Sequence, residues 1–341
     1  MAGISIIIVT WNGLHHLKTF LPSVTSTSYK DFEIILADNA STDETKKWVN
    51  KFYPEVNIVT FDDNYGYCGG NNRAVKAASK EILLFLNNDV EVTPNWLNEL
   101  GAAFENDKNL GAAQPKILDY SRKDYFEYAG AAGGLIDGWG YTFCRGRIFD
   151  TVEDDHGQYE EQTNIFWASG AALAIRKNLF EELGGFDEDF EFHMEEVDLC
   201  LRIQRAGFDI AYIPKSQIYH LGGGSLAMGS PRKVYYNFRN NLFMLWKNFP
   251  TRYLFTKLPV RFVLDIVAAW KALISGNPKE FLAIAKAHLH FVAQLKKMHQ
   301  KRKENPLPRP SQLAGQYNFM LIWNYFIKGK RNLNELPINE S

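Results

Sequence analysis

The feature that most constrains this chain is the alternation of two hydrophobic periods over its first hundred residues. Ile4 to Thr10 is a run dominated by β-branched residues, which suits a strand buried on both faces. Leu14, Leu17, Leu21 and Val24 follow at helical spacing. Glu33 to Ala37 reads as a second strand ending at Asp38, and Asn39-Ala40-Ser41-Thr42-Asp43 as a turn that caps a helix through about Phe52. Val56 to Phe61 is a third strand. A glycine-bearing loop from Asn64 to Asn71 leads into a helix through Ala78. Ile82 to Leu86 is a fourth strand, ending at Asn87-Asn88-Asp89, and Pro94 opens another helix. This order predicts an α/β fold with a mostly parallel, twisted sheet flanked by helices. Ligands of such sheets collect at the carboxyl ends of the strands, where Asn12, Asp38, Asn64 and Asp89 all fall.

Beyond this block the periodicity weakens. Residues 119–165 are rich in Gly, aromatic and polar residues, which predicts loops and short strands near the active site. Regularity returns from Trp167 to Ile213, with an apolar run at Ala171–Ile175, a helix near Lys177–Leu183 and another from about Glu196 to Ala206. Asn305-Pro306-Leu307-Pro308-Arg309-Pro310 reads as a short extended linker.

Charge is distributed unevenly. The whole chain carries 38 Lys or Arg and 39 Asp or Glu, but residues 232–303 hold 15 of the basic residues and only 2 of the acidic ones. The split predicts a catalytic body joined to a segment that meets an anionic partner. Cys68, Cys144 and Cys200 lack zinc-like spacing and disulfide density, and read as reduced cytosolic thiols. A basic leader with a cleavage site is not evident, and every stretch of about 18 residues carries charge, which argues against an ordinary transmembrane helix.

Several residues have the chemistry for a site, each with an ordinary structural alternative. Asp89 suits a hard divalent cation; it also suits a turn before the helix at Pro94. Asp38 suits a base N–H or ribose hydroxyl, and equally a strand-end turn. The glycines of 64–73 let backbone approach an anion, although the spacing is not a dinucleotide fingerprint. Glu195, Glu196 and Asp198 crowd a helix start beside Phe190, Phe192 and Met194. Carboxylates against an apolar wall raise one another's pKa, as a general base requires; acids also simply favour helix N-termini. His220, before Gly222-Gly223-Gly224-Ser225, has the chemistry to ligate a metal or touch a phosphate.

The ordered set of segments resembles the inverting family-2 glycosyltransferases of the GT-A fold, most of all a bacterial rhamnosyltransferase-like branch. The matching segments are Ile-Val-Thr-Trp-Asn at 8–12, Asp-Asn-Ala-Ser-Thr-Asp at 38–43, Asn-Tyr-Gly-Tyr-Cys-Gly-Gly-Asn-Asn at 64–72 and Leu-Asn-Asn-Asp-Val at 86–90. Trp-Ala-Ser-Gly-Ala at 167–171, Glu-Glu-Val-Asp-Leu-Cys-Leu-Arg at 195–202 and His220 complete it. The resemblance implies a GT-A catalytic domain over 1–230, with a nucleotide-sugar half at 1–116 and an acceptor half at 117–230. A basic amphipathic helical region over 231–304 and a tail over 305–341 would follow. It implies that Thr10, Asn12, Asp38, Asn64, Gly69, Arg73 and Asn88 bind the donor, that Trp167 and Gly170 lie on the acceptor side, and that Asp89 and His220 hold Mg2+ or Mn2+. Glu196 takes the place of the catalytic base, with Glu195 and Asp198 as supporting acids. Two departures are visible: Asn87 and Asn88 leave one strong carboxylate in the DXD-type motif, and Glu196 replaces the commoner Asp. The absence of a Gln-x-x-Arg-Trp segment argues for adding one or a few sugars.

The expected activity is metal-dependent, inverting transfer of a sugar such as rhamnose from a nucleoside-diphosphate sugar to a hydroxyl of a glycan or a polyprenyl-diphosphate-linked glycan. The alternatives are a non-catalytic sugar-binding or assembly scaffold, and a nucleotide-sugar nucleotidyltransferase; the latter needs a Gly-rich basic loop after the first strand, which Thr10-Trp11-Asn12-Gly13 does not supply. Residues 232–303 interleave Lys and Arg with aromatics, as in 235–242 and 249–263. They read either as amphipathic helices packed on the body or as an interfacial contact with an anionic membrane, with no nucleic-acid module. The expected location is cytoplasmic, peripheral at the inner face of the cell membrane.

Overall fold

The computed structural model describes residues 1–222, 230–310 and 312–338. Gly223, Gly224 and Ser225 of the expected His220 loop lie outside the described residues. The chain opens with β1 (Ile4–Thr10), α1 (Leu14–Thr25), β2 (Phe32–Asp38), α2 (Thr45–Phe52), β3 (Asn57–Thr60), α3 (Gly66–Ala74) and β4 (Ile82–Leu86). Next come β5 (Val90–Val92), α4 (Trp96–Asn106) and β6 (Leu110–Asp119). The short strands β7 (Gly134–Asp137), β8 (Thr142–Cys144), β9 (Arg147–Ile148) and β10 (Thr151–Val152) follow. β11 (Thr163–Asn164), β12 (Ala172–Arg176), α5 (Lys177–Glu182), α6 (Glu195–Arg205) and β13 (Asp209–His220) complete the α/β body. The C-terminal helices are α7 (Pro231–Asn248), α8 (Thr251–Thr256), α9 (Leu258–Ile274), α10 (Pro278–Ala293) and α11 (Leu295–Glu304), with β14 (Gln316–Tyr317) and a π-helical turn at Trp323–Ile327 beyond them.

Among the described residues, the main sheet runs β11-β13-β6-β12-β4-β1-β2-β3, with β5 against β13. β1 is parallel to β2 and β4, and β13 is parallel to β6, whereas β12 is antiparallel to both β4 and β6. This mixed sheet with helices on both faces is the expected GT-A arrangement. Its strands feed two cores, as the two-residue period dictates. Ile6, Ile8, Ile34 and Leu36 face Leu17, Val49, Trp96 and Leu100, while Ile7, Ile35 and Phe85 face the core that includes Phe180, Phe186 and Leu242. The small sheet β10-β9-β8-β7-β14 shows why residues 119–165 lacked periodicity: its strands are two to four residues long, and β14 arrives from the far end of the chain. Among the described residues, no helix is long and apolar enough to cross a membrane.

Two expectations need correction. The glycine segment after Asn64 is itself helical from Gly66. A Cβ on Gly70 would lie 2.9 Å from Val9 Cγ1 and 2.9 Å from Asn39 Nδ2, so glycine lets this helix press on the ends of β1 and β2. The second correction concerns the basic region. α7, which contains 235–242, is no free amphipathic surface: Tyr236, Arg239, Asn240, Asn241 and Leu242 are buried.

Much of the basic charge is spent on the acidic body. Lys247 bridges Asp187 and Asp198, Lys301 bridges Asp187 and Asp189, Lys297 pairs with Asp189, and Arg239 pairs with Glu191. Asp198 is fully buried and accepts from Arg202 Nε at 3.0 Å, Lys247 Nζ at 2.9 Å and Asn248 Nδ2 at 2.7 Å. These bonds fix α7 against α6. Removing one member of such a cluster leaves buried charge uncompensated, so Lys247→Met should lower the unfolding free energy by about 3–5 kcal/mol, read from a shift in the urea midpoint.

Candidate active site

The carboxyl ends of β1, β2 and β4 lie side by side, with Thr10 opposite Asp38 in the parallel register. Asn88 Nδ2 donates to Thr10 Oγ1 at 3.0 Å, tying β4 to β1. Asn12 adopts a left-handed φ of 49°, and its Oδ1 accepts from the backbone N–H groups of Thr42 at 2.7 Å and Asp43 at 3.2 Å. Asp38 Oδ1 accepts from Ser41 N at 3.1 Å. Thr10, Asn12, Asp38 and Asn88 therefore form one cradle whose rim is the 39–43 turn. Across it, Asn64 Oδ1 accepts from Gly66 N at 2.9 Å and starts α3. Arg73 lies 3.6 Å over the Tyr65 ring and donates to Gly69 O at 3.0 Å and to Glu188 Oε1 at 3.1 Å. It thus links α3 to the segment that leads into α6.

At the end of β4, Asp89 meets the end of β13. His220 Nε2 stands 3.1 Å from Asp89 Oδ1, and its other ring nitrogen faces Glu127 Oε1 at 3.3 Å. All three side chains are buried. Burial acts to lower the His220 pKa, but the carboxylates of Glu127 and Asp89 outweigh it and push it up to about 10. Burial likewise opposes ionisation of Asp89, yet the His220 hydrogen bond and charge hold its carboxyl below the usual range. At a pKa of about 10 the His220 ring is an imidazolium paired with Asp89, and only on losing its Nε2 proton would it join Asp89 in holding one divalent cation. Adjacent ligands on an octahedral ion with bonds of about 2.1 Å lie about 3 Å apart, close to the 3.1 Å seen here. Among the described residues no third His, Cys, Asp or Glu joins them as a ligand cluster. Two protein donors plus phosphate oxygens and water is the usual manner of Mg2+.

The same strand end reaches the acidic pair. Asn87 N donates to Ala171 O at 3.0 Å, and the neighbouring Gly170 O accepts from Tyr67 Oη at 2.8 Å. A Cβ on Gly170 would sit 3.2 Å from Tyr67 Oη and 3.8 Å from Glu196 Cβ, which places Gly170 beside both side chains. Glu195 and Glu196 each keep one buried carboxylate oxygen without a partner. Burial pushes the Glu196 carboxyl up to about 7, and burial together with the Glu196 charge pushes Glu195 well above the usual carboxylate range. Tyr67 is raised by burial and then by both glutamates, which places its ring beside them.

The helix start carrying this pair is strained. Glu191, His193 and Met194 all have positive φ, at 61°, 64° and 71°. Non-glycine residues hold such conformations only where surroundings over-determine them. Here α7 does so: Asn240 Nδ2 lies 2.7, 2.7 and 2.8 Å from the carbonyls of Phe190, Phe192 and His193, and Arg239 Nη2 donates to Asp189 O at 2.9 Å and Phe190 O at 3.0 Å.

Two expected residues stand elsewhere. Asp198 is occupied by Arg202, Lys247 and Asn248, on the packing side of α6. Trp167 is buried, its indole donating to Leu135 O at 3.1 Å and its ring lying against Gly134. Glu127, Tyr67, Arg239 and Asn240 were not singled out from the sequence as site residues. Glu127 sits in an aperiodic stretch and offers no local signal. Arg239-Asn240-Asn241 offered one, as a polar cluster inside an otherwise aromatic helix.

A family model described as glycosyl transferase family 2 matches residues 5–184, more than half of the chain. The chain belongs to that family. Among its relatives is the O-antigen biosynthesis protein RfbC of Myxococcus xanthus, 33% identical over 211 residues, or 60% of this chain and only 16% of that protein. Another is the N-acetylglucosaminyl-diphospho-decaprenol L-rhamnosyltransferase of Mycobacterium tuberculosis, 27% identical over 230 residues, 63% of this chain and 75% of that protein. A crystal structure of GalNAc-T7 with UDP, GalNAc and Mn2+ superposes with a TM-score of 0.59 at 18% identity, covering 90% of this chain and 59% of that one. The mannosyltransferase PcManGT of Pyrobaculum calidifontis, with GDP-Man and Mn2+, gives 0.52 at 16% identity over 88% of this chain and 80% of that one. These two likenesses establish the fold of this family-2 chain.

The raised Glu196 pKa has a consequence for stability. Folding favours its protonated form, so that contribution is present below the ordinary value of 4.5 and is lost as pH rises through about 7. Glu196→Gln should therefore gain on the wild type between pH 5 and 8, on the order of 2 kcal/mol, in paired denaturant titrations.

Proposed function

We propose that this chain transfers a sugar, with inversion, from a nucleoside-diphosphate sugar to a hydroxyl of a lipid-linked glycan, at the inner face of the cell membrane. The observation that carries the reading is the Glu196 carboxylate. It is half-buried, keeps one buried oxygen without a partner, is pushed up to about 7 by burial, and stems from a Cβ close to Gly170, whose neighbour Ala171 accepts from Asn87 N at the end of β4. Rhamnose is the first donor sugar to test and a polyprenyl-diphosphate-linked glycan the first acceptor, because the M. tuberculosis relative is named for both chemistries.

In this reading Thr10, Asn12 and Asp38 hold the nucleoside, and Asn64, Gly69, Arg73 and Asn88 border the rest of the donor. Asp89 and His220 hold a divalent cation, which supplies Lewis-acid neutralisation of the diphosphate. Glu127 faces the second nitrogen of His220 and orients the ring, as carboxylates behind metal-binding histidines do. Glu196 accepts the proton of the acceptor hydroxyl while that oxygen attacks C1 of the sugar. The bond from C1 to the diphosphate oxygen breaks on the opposite face, and the nucleoside diphosphate leaves as an anion. Burial and the Glu196 charge both raise the Glu195 carboxyl, so the pair resists carrying two negative charges at once.

Glu196→Gln should reduce transfer by about 10²–10⁴-fold with donor affinity retained, measured by product formation alongside calorimetric titration of the donor. Turnover at the wild-type rate would eliminate Glu196 as the base. Transfer by the wild type should rise with pH through about 7 as Glu196 loses its proton. Glu127→Gln should weaken Mn2+ binding by about 10–100-fold, followed by the titration of free Mn2+ in electron paramagnetic resonance.

A further inference from the structure

α9 is amphipathic the wrong way round for a helix in water. Two of its three charged residues point inward: Arg261 Nε donates to Asp265 Oδ1 at 2.9 Å, Asp265 Oδ2 meets His288 Nε2 of α10 at 3.2 Å, and the Arg261 guanidinium lies 3.6 Å over the Tyr141 ring. Its outward stripe is apolar. Val260, Val263, Val267, Trp270 and Ile274 recur at steps of three and four, and the last four are 58%, 59%, 53% and 84% exposed. The π-helical turn extends this surface with Trp323, Phe326 and Ile327, joined to α9 where Lys271 Nζ sits 4.7 Å from the Phe326 ring centre. Of the 17 exposed large hydrophobic residues among the described residues, 13 fall between 255 and 327. The surface is therefore concentrated on one part of the chain, whereas singly scattered exposed apolar residues need no explanation.

We propose that this face of α9, with the adjoining π-helical turn, docks on an anionic phospholipid bilayer. The proposal rests on the reading of the acceptor as lipid-linked and names the surface by which the enzyme reaches it. Charge selects the bilayer over a second copy of the chain. Lys271 is exposed beside the Phe326 ring, and Arg252 and Lys279 are exposed on α8 and α10, which pack on α9, whereas the acids of 251–303 are Asp265, buried in its ion pairs, and Glu280. Self-association would press like-charged rims together; lipid phosphates oppose them favourably. Polar groups turned inward and apolar ones outward is also the pattern that a hydrocarbon environment imposes. At 17 residues with this inward charge, α9 is suited to lie in the interface with Trp270 and Trp323 at headgroup depth.

The test uses the full chain and sedimentation with vesicles of phosphatidylcholine, alone or mixed with phosphatidylglycerol. The wild type should bind the mixed vesicles, more weakly in high salt. The exposed double substitution Val263→Glu with Val267→Glu should reduce that binding by about tenfold or more with an unchanged circular dichroism spectrum. Failure of the wild type to bind, or equal binding by the variant, would overturn the proposal. So would a wild-type dimer in light scattering that the double substitution converts to monomer without any lipid dependence. Metal-dependent hydrolysis of the nucleotide sugar, measured without vesicles, should be the same in both proteins. Loss of hydrolysis in the wild type with vesicle binding intact would count against the catalytic reading alone, leaving the docking surface standing.

Discussion

The structure depends on the grip of α7 on the segment that leads into α6. Glu191, His193 and Met194 occupy left-handed backbone that side chains disfavour, and the cost, of order 1–3 kcal/mol each, must be met by neighbours. Asn240 meets three carbonyls of that segment, Arg239 one of these and one more, and Tyr236 donates to Glu191 Oε2 at 2.6 Å. Two turns further on, Lys247 and Asn248 hold Asp198 in the first turn of α6, and Asn248 Oδ1 accepts from Arg205, the last residue of α6, at 2.7 Å. The helix bearing Glu195 and Glu196 is thus fixed at both ends by a single helix outside the sheet. A strained loop released from this grip would relax, and the carboxylates would move with it.

That grip also accounts for the charge split in the sequence. A basic segment beside an acidic body looks like a detachable arm awaiting an anionic partner. Asp187, Asp189, Asp198 and Glu191 are a large part of that partner, and they belong to the same chain. Composition sees only that opposite charges occur in different stretches; it has no access to whether folding brings them together. Of the exposed remainder, Lys271 lies beside the α9 stripe at the Phe326 ring, while Lys286 lies over the Tyr235 ring of α7. The aromatic character of 235–242 is real, but it reflects packing: Tyr236 and Leu242 are buried against the body.

Legibility followed the range of the interaction. β1, β2 and β4 were readable because each is a local apolar run with a polar residue at its end, and the donor cradle inherits its geometry from their register. α6 was readable from its acids and its helical period. Ordered motifs also pointed to Asp89, Glu196 and His220 before any distance was known. The division of labour among neighbouring acids was not readable. Glu196 and Asp198 lie two residues apart, yet on a helix two residues face different sides, and one meets Gly170 while the other meets Lys247. Glu127 was invisible for a related reason. Its place behind His220 comes from an antiparallel bridge between Leu118 and Phe126 and from the pairing of β13 with β6, the latter joining stretches about a hundred residues apart.

The two halves of the site are held in different ways, and the difference matters for how the chain works. In the proposed reading, the donor side is framed by strand ends whose positions are set by a buried sheet, so a nucleotide would meet a surface already in place. The base side rests on a strained segment that α7 constrains, and α7 packs on α10, with the Tyr235 ring stacked near the His290 ring. α10 in turn packs on α9, whose apolar stripe faces outward. A continuous run of packed helices therefore connects the outward stripe to the backbone that presents Glu196. In the proposed reading, an acceptor arriving along a lipid surface would approach a base whose placement is referenced to that same surface, whereas the sugar would be presented from the sheet and α3.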